Sequence, residues 1–331
     1  MKYTYNGSEL HRKGESVPPV PPTQPAAGQG GVFGLGNLFR RNPVATVSPA
    51  IGGVVAANTG TSVPVGAPIP VTAESVVAYL SPSPAEVNQL YGYVVSSPMV
   101  VENIRYAQCM AGIPFQYDQT NDVVNAAARR AQSAPDPKNA GRVTLSFDTV
   151  IYGGALRYSR LIGIGVAWEN AGHRGSLARL IAAMSPQLTA ACSVEACFNL
   201  ITQCDLLTAL GDDAVRQKAI SYSSGMIVSV LAHEVGHHVL GHLMSFSQRE
   251  NLEVERNQER EADSFASSVI SCSPFSEYTF AGTLFWHYAL AVLTDEGTDM
   301  HRSHPLSRER FRNFVRNNRA AAAALGIAIN E

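Results

Sequence analysis

The stretch that decides the fold is residues 224–243, SGMIVSVLAHEVGHHVLGHL. Its apolar residues recur at helical spacing, and Ser223 or Ser224 is a suitable N-cap, so the pattern predicts a helix here. His233 and His237 are four positions apart. Their rings therefore share one helix face and can bind one metal ion.

Glu234 follows His233 directly, so its carboxylate can reach a water on that metal without being a ligand. His-Glu-x-x-His on a helix is the pattern of zinc hydrolases. The alternative is a chance match on a buried amphipathic helix. It would leave two imidazoles and a carboxylate unpaired in an apolar interior, which is costly. The pattern therefore predicts a zinc site with a general base.

His238 and His242 form a second pair four positions apart, rotated by about 100° from the first on an ideal helix. They are either a second metal site or supports of the first one. The metzincin pattern would need a glycine at position 240 and a histidine at position 243. Those positions hold Leu240 and Leu243, so a third ligand must come from elsewhere.

Composition limits the class of protein. The chain has 331 residues, of which 45% are hydrophobic and 16% charged, with a net charge of −2. This predicts one large domain or two small ones, and it argues against nucleic acid as a partner. No signal-peptide pattern opens the sequence. Five cysteines without zinc-ribbon spacing indicate buried thiols in a reduced compartment. We expect a cytoplasmic location, with membrane association or export left open.

Residues 1–72 are rich in proline and glycine, with VPPVPP at 17–22. Such a segment cannot bury enough apolar surface to offset its ordering entropy, so we expect a disordered tail. It would serve as a linker, a tether or a partner-binding tail. Residues 73–331 are expected to form the folded domain.

Periodicity in the folded part predicts mostly helices with a small β-sheet, that is, a helical α+β fold. The predicted helices are 84–95, 99–112, 121–132, 175–184, 193–210, 252–271, 278–293 and 307–325. Residues 143–148 alternate as a half-buried strand, whereas 155–167 are apolar and fit either strand or helix. Residues 278–293 are slightly short of a membrane span and contain His287, which favours a buried helix over a membrane-inserted hairpin.

Helix phase selects the third ligand from the acids that follow the first helix. The candidates are Glu250, Glu253, Glu255, Glu259 and Glu261. Glu259 shares a helix face with Ala262 and Ala266, whose small side chains permit close approach to another helix. Asp263, one turn later, is placed to accept the free ring N–H of a ligating histidine. An ordinary surface charge at position 259 is the alternative.

Residues 259–263, Glu-Arg-Glu-Ala-Asp, resemble the Glu-x-x-Ala-Asp motif of the HtpX and CAAX prenyl endopeptidase type of zinc metallopeptidase. Two further motifs agree. His304-Pro305 with Arg310 is similar to the family's downstream His-Pro, and Asn125-Ala126-Ala127 is similar to its Asn-Ala-Phe-Ala. The resemblance covers about residues 115–318 and implies a zincin-like domain. Many members also carry transmembrane helices or a signal peptide, and neither is evident here.

The resemblance implies a zinc-dependent metalloendopeptidase that acts on protein or peptide substrates. One zinc ion would be bound by His233, His237 and Glu259. Glu234 would be the general base, and His304, positioned by Arg310, would stabilise the oxyanion. A strand at 143–148, if it lies at an edge, could pair with an extended substrate.

Two other classes of function remain open at this stage. One is a non-catalytic metal-binding scaffold, and the other is an adaptor that docks partners through its proline-rich tail. The sequence predicts neither the substrate nor the oligomeric state.

Overall fold

The fold follows from a computed structural model that describes residues 3–5, 10–12, 71–103, 114–132, 145–244, 252–271, 276–293 and 307–318. As predicted, they form a mostly helical α+β structure with a small sheet. In the tail, strands β1 (Tyr3–Tyr5) and β2 (Leu10–Arg12) pair antiparallel. The rest of the tail up to residue 70 lies outside the described residues, so its disorder stays a prediction.

The main sheet has three described strands, β3 (Phe115–Asp118), β4 (Ala126–Gln132) and β5 (Leu145–Tyr152). Their order is β3-β5-β4, with β3 parallel and β4 antiparallel to β5. The strand predicted at 143–148 is confirmed within β5, but β5 is central. The condition under which it could pair with a substrate, an edge position, is therefore not met, and β4 is an edge among the described strands.

The prediction of a helix at 121–132 is also wrong, because most of this segment forms strand β4. Alanine and arginine are good helix formers, which favoured a helix. In the fold, each residue of Ala126–Gln132 is instead paired with a residue of β5, from Ile151 back to Leu145. Pairing between distant segments has overridden local propensity here.

The described helices are α1 (Ala73–Leu80), α2 (Pro84–Val95), α3 (Pro98–Val101), α4 (Gly153–Asn170), α5 (Ser176–Ala183), α6 (Val194–Gln203), α7 (Leu207–Gly211), α8 (Asp213–Val239), α9 (Leu252–Ser271), α10 (Ser276–Leu293) and α11 (Ser307–Asn317). Helices α2 and α9 have the predicted bounds, and α4 decides the apolar stretch as helix. The helix predicted at 193–210 divides into α6 and α7, because Asp205 takes a left-handed φ of 56°. Most of 99–112, the loop at 134–141 and residues 319–325 lie outside the described residues.

Helix α8 carries residues 224–239 and begins well before the predicted start. Its N-cap is Asp212, whose carboxylate accepts hydrogen bonds from the amides of Ala214 and Val215. The predicted N-caps Ser223 and Ser224 are wrong, because both lie inside the helix. Ser223 is buried there and accepts a hydrogen bond from the Arg160 guanidinium at 3.0 Å.

Helix α8 contacts α4, α9 and α10, and so forms the centre of the helical layer. Its approach to α10 depends on glycine. A Cβ atom on Gly282 would lie 2.4 Å from the carbonyl oxygen of Tyr222, and one on Gly225 would lie 2.6 Å from that of Tyr278. The buried helix predicted at 278–293 is confirmed as α10. Among the described residues, we find no helix with the length and apolar character to cross a membrane.

The prediction of free thiols is wrong for two of the cysteines. Cys192 and Cys197 form a disulfide, whereas Cys204 is a free, buried thiol as predicted. The disulfide lies beside the bridge between Val123 and Ala191, next to the start of β4. Cys109 and Cys272 lie outside the described residues.

We expect Gly282→Ala to destabilise the protein by about 2 kcal/mol, because the new methyl group forces α10 away from α8. The control is Gly92→Ala in α2, which is exposed and has no atom within 4 Å of the added Cβ. It should stabilise its helix by about 0.5–1 kcal/mol. Urea unfolding of both variants measures the difference. Equal effects would contradict the close packing of α8 and α10.

Candidate metal centre

Three buried side chains converge between α8 and α9. Nε2 of His233 lies 3.1 Å from Nε2 of His237 and 3.1 Å from Oε2 of Glu259. Nε2 of His237 lies 3.4 Å from Oε1 of Glu259. All three residues are less than 10% exposed. Among the described residues, they are the group of three that could hold a metal ion.

These separations can be compared with the geometry of zinc. Ligand bonds of about 2.0–2.1 Å to a tetrahedral zinc place the ligand atoms about 3.3 Å apart. The observed separations of 3.1, 3.1 and 3.4 Å are close to that value. Two imidazole nitrogens and one carboxylate also form a ligand set typical of catalytic zinc. The residues present therefore fit a zinc ion.

The packing of α9 on α8 brings Glu259 to the two histidines. Gly236 lies inside the His-Glu-x-x-His segment and faces α9, where a Cβ atom would be 3.0 Å from Cδ1 of Phe265 and 3.4 Å from Cα of Ala262. Ala262 is fully buried in this contact. A small residue on each helix therefore allows the backbones to approach until the Glu259 carboxylate reaches both rings.

His233 is held from behind by a partly buried ion pair. Its Nδ1 lies 2.9 Å from Oδ1 of Asp263, and the Arg310 guanidinium bonds both oxygens of Asp263 at 2.6 and 2.9 Å. Burial alone would raise the pKa of Asp263, but Arg310 and His233 together hold that pKa well below its ordinary value. Asp263 is therefore an anion that fixes the orientation of the His233 ring.

The electrostatics of the cluster favour positive charge between the rings. Burial alone would lower the pKa of His233, but hydrogen bonds to Asp263 and Glu259 raise it to about 10. The carboxylates thus attract a proton to the position between Nε2 of His233 and Glu259. A metal cation at this position would satisfy the same carboxylates, with both imidazoles neutral.

His237 is supported differently. Helix α8 ends at Val239, and Gly241 takes a positive φ of 74°, a common way to end a helix. The chain then turns back, and Nδ1 of His242 lies 3.0 Å from Nδ1 of His237. Nε2 of His242 lies 2.9 Å from Oε2 of Glu261.

The same turn decides between the two roles considered for His238 and His242. They are not one turn apart on a continuous helix, because the helix has already ended. Nε2 of His238 lies 3.1 Å from the hydroxyl oxygen of Thr149 on β5, away from His242. Burial lowers the pKa of His238 to about 4, assisted by the nearby His237. The hypothesis that His238 and His242 together form a second metal site is therefore wrong.

Glu234 faces the edge of the sheet. Its Oε2 accepts a hydrogen bond of 2.7 Å from the backbone amide of Ala128 on β4. Glu234 and His233 also line a cavity of about 610 Å³, which extends along α9, α10 and α11. The carboxylate is thus fixed at one oxygen, beside both the metal cluster and an open space.

Six of the seven predicted site residues meet in this region: His233, Glu234, His237, Glu259, Asp263 and Arg310. Arg310 contacts Asp263, and the predicted partner His304 lies outside the described residues. Sequence reasoning missed two contributors, the Ala128 amide and His287 in the cavity wall. It had considered His242 as a support of the site without identifying His237 as its partner. Gly241, as a helix terminator, was the signal that could have revealed the position of His242.

Comparison with known proteins gives one relationship. Residues 216–328 match the model of the family Peptidase U49. The matched region is about a third of the chain and holds α8 to α11, but not the sheet. No curated protein and no solved structure matches the chain. The match supports a peptidase family, and it does not support the HtpX and CAAX prenyl endopeptidase type specifically.

We expect Arg310→Gln to destabilise the protein by about 2 kcal/mol, because it leaves the partly buried Asp263 carboxylate without its cation. The control is Arg312→Gln on the exposed face of the same helix, with an expected change within about 0.5 kcal/mol. Urea unfolding in the presence of a chelator separates this effect from metal binding.

The double variant Asp263→Asn with Arg310→Gln should cost less than the sum of the single variants, because it removes both charges. If the losses of stability in the two single variants add up to the loss in the double variant, Asp263 and Arg310 do not stabilise each other as an ion pair.

Proposed function

We propose that this protein is a zinc-dependent metalloendopeptidase. The observation that carries the proposal is the buried cluster of His233, His237 and Glu259, with the Glu234 carboxylate fixed beside it by the amide of Ala128. The match of residues 216–328 to a peptidase family supports the same reading. Protein or peptide chains are the proposed substrates.

The proposed ligands of one zinc ion are His233, His237 and Glu259. When bound, zinc supplies a Lewis acid that polarises the scissile carbonyl and activates water. Each imidazole must present Nε2 with its lone pair, so Nδ1 carries the proton. Asp263 accepts that proton's hydrogen bond from His233, and His242 accepts the corresponding one from His237.

Glu234 is the proposed general base. One carboxylate oxygen accepts the hydrogen bond from Ala128, which leaves the other oxygen to take a proton from the attacking water. The same carboxyl group would then give that proton to the leaving amine. His304 remains the proposed donor to the developing oxyanion. Arg310 is proposed to act through Asp263, which it contacts directly.

The position of Ala128 also indicates where a substrate backbone can bind. Strand β4 is an edge among the described strands, and its Ala128 amide faces the catalytic carboxylate. An extended substrate that pairs with the outer edge of β4 would lie across the metal cluster. This role, first considered for β5, is therefore proposed for β4.

Two alternative functions, a non-catalytic scaffold and an adaptor, lead to predictions that differ from those for a peptidase. A non-catalytic metal-binding scaffold would bind zinc without any need for a carboxylate fixed at Glu234. An adaptor that acts through its tail would lose its function when residues 1–70 are removed. The peptidase should keep zinc and activity after that truncation.

We expect Glu234→Gln to retain zinc and fold but to lose peptide hydrolysis, by 100-fold or more in kcat, since an amide cannot take the proton (general-base catalysis contributes roughly 10²–10⁴-fold). Hydrolysis of casein or a quenched peptide library is the assay. Glu195→Gln, an exposed acid in the first turn of α6, is the matched control and should keep full activity. Near-normal hydrolysis by Glu234→Gln would reject Glu234 as the base.

We expect about one zinc per purified chain from a single two-His, one-carboxylate site. Glu259→Ala should lose this zinc. His242→Phe should weaken zinc affinity by about 10–100-fold, because the His237 ring loses its hydrogen-bond partner. Glu261→Gln should have a smaller effect, since its side chain is 63% exposed. Chelator competition measures the affinities. A Glu259→Ala variant that keeps zinc while Glu261→Gln loses it would overturn the ligand assignment.

A further inference from the structure

The cavity beside the metal cluster has one wall that the proposed chemistry does not use. At one end the cavity of about 610 Å³ is lined by His233 and Glu234. Away from them it is lined by Ile270 on α9, Trp286 and Leu290 on α10, and Phe314 on α11. Any group that enters this space therefore lies next to the proposed reaction centre and against an apolar wall.

This wall is held in place by packing on its far side. The Trp286 ring makes an edge contact with the buried Tyr158, with 5.0 Å between ring centroids. Phe314 packs against Phe280 at 5.3 Å and against His287 at 5.5 Å. Aromatic side chains fixed in this way form a preformed surface for another flat or apolar group.

Apart from Glu234, which the proposed chemistry uses, the charged groups in the described lining have charged partners. Arg310 is paired with Asp263. Arg260, at the rim, bonds the carboxylates of Glu253 and Glu309 at 3.0 and 2.9 Å. A charged side chain placed against the apolar wall, away from Glu234, would lose water without finding an unpaired opposite charge among the described residues there, which is costly. The described lining therefore favours an uncharged occupant.

Two polar side chains in the lining, His287 and Ser229, make no hydrogen bond to another described residue. His287 is 7% exposed and Ser229 is 6% exposed. A group that enters the cavity can therefore bond the polar atoms of both side chains. Burial, assisted by the charge of Arg310, lowers the pKa of His287 to about 3. The ring is therefore neutral at pH 7 and offers one donor and one acceptor.

We propose that this cavity binds one substrate side chain, and that His287 and Ser229 select an uncharged, largely apolar side chain with a hydrogen-bonding end. Tyrosine combines these properties. The proposal rests on the peptidase function, because it assigns a specificity pocket to the same site. His287 and Ser229 are specificity residues that contact the substrate side chain and take no part in the chemistry.

Phenylalanine and leucine fit the apolar wall but leave His287 and Ser229 without partners. Lysine, arginine and the acidic residues bring a charge that the described wall away from Glu234 does not match. Glutamine and asparagine can form hydrogen bonds with the two polar side chains of the lining, but they bury less apolar surface against Trp286 and Phe314. The phenol of tyrosine places an aromatic ring on the wall and a hydroxyl at the polar groups.

Binding of p-cresol and toluene, the side chains of tyrosine and phenylalanine, tests the pocket without peptide hydrolysis. With the zinc-loaded full chain, ligand-observed NMR should give a Kd for p-cresol about 3- to 10-fold below that for toluene, the effect of one neutral hydrogen bond. His287→Phe and Ser229→Ala should each reduce this ratio towards one, whereas His287→Gln should retain part of it. His173→Phe, an exposed histidine stacked on Trp168, is the matched control and should leave it unchanged.

Equal binding of the two probes to the wild type, or an unchanged ratio in both His287→Phe and Ser229→Ala, would overturn the proposal. Circular dichroism and thermal unfolding establish that each variant is folded. Ser229→Ala removes only one oxygen atom, so it keeps the test valid if His287→Phe does not fold.

Cleavage profiling gives the second readout. In a peptide library, the wild type should prefer tyrosine over phenylalanine at one position next to the scissile bond, and His287→Phe should lose this preference while it still cleaves. A preference for a charged residue at every flanking position would overturn the proposal. If no peptide is cleaved but the p-cresol preference holds, the peptidase function has failed and the pocket assignment has not.

Discussion

The close contact between α8 and α9 is the constraint on which the site depends. Glu259 belongs to a helix that is separated in sequence from the two histidines by a turn and a polar segment. It reaches them only because Gly236 and Ala262 let the two helices approach. A larger side chain at either position would separate the helices, and the carboxylate could no longer lie within 3.4 Å of both imidazoles. Helix packing thus determines the ligand geometry.

The two histidines of the cluster are held in different ways. His233 is backed by Asp263 and Arg310, an ion pair whose side chains are each 19% exposed. His237 is backed by a second imidazole, His242, which is in turn oriented by the more exposed Glu261. Both arrangements leave Nε2 directed at the same point. They differ in charge, because one ring faces an anion and the other faces a histidine whose pKa burial lowers.

The sheet contributes to the site through its backbone. The amide of Ala128 fixes Glu234, and any residue except proline at position 128 would supply the same N–H group. A contact of this kind leaves little trace in the sequence. The helix-forming alanine and arginine residues of β4 favoured the helix that was predicted there. Its pairing with β5, the bridge between Val123 and Ala191 and the nearby disulfide together position that amide.

The sequence by itself determined the features that depend on local spacing. The four-residue spacing placed His233 and His237 on one face of a helix, and helix phase indicated Glu259 and Asp263 together on one face of the next. The same periodicity gave the bounds of α2 and α9 and the buried character of α10. These predictions succeeded because each depends on residues within a few turns of one another.

Only the tertiary structure decided the rest, because it depends on residues that are distant in the chain. Pairing with β5 made β4 a strand in spite of its helix-forming residues. The end of α8 at Val239 and the turn at Gly241 placed His242 behind His237 instead of in a second metal site. The burial of His287 and Ser229 in one cavity, without hydrogen-bond partners among the described residues, follows from the packing of four helices. No spacing along the sequence encodes that arrangement.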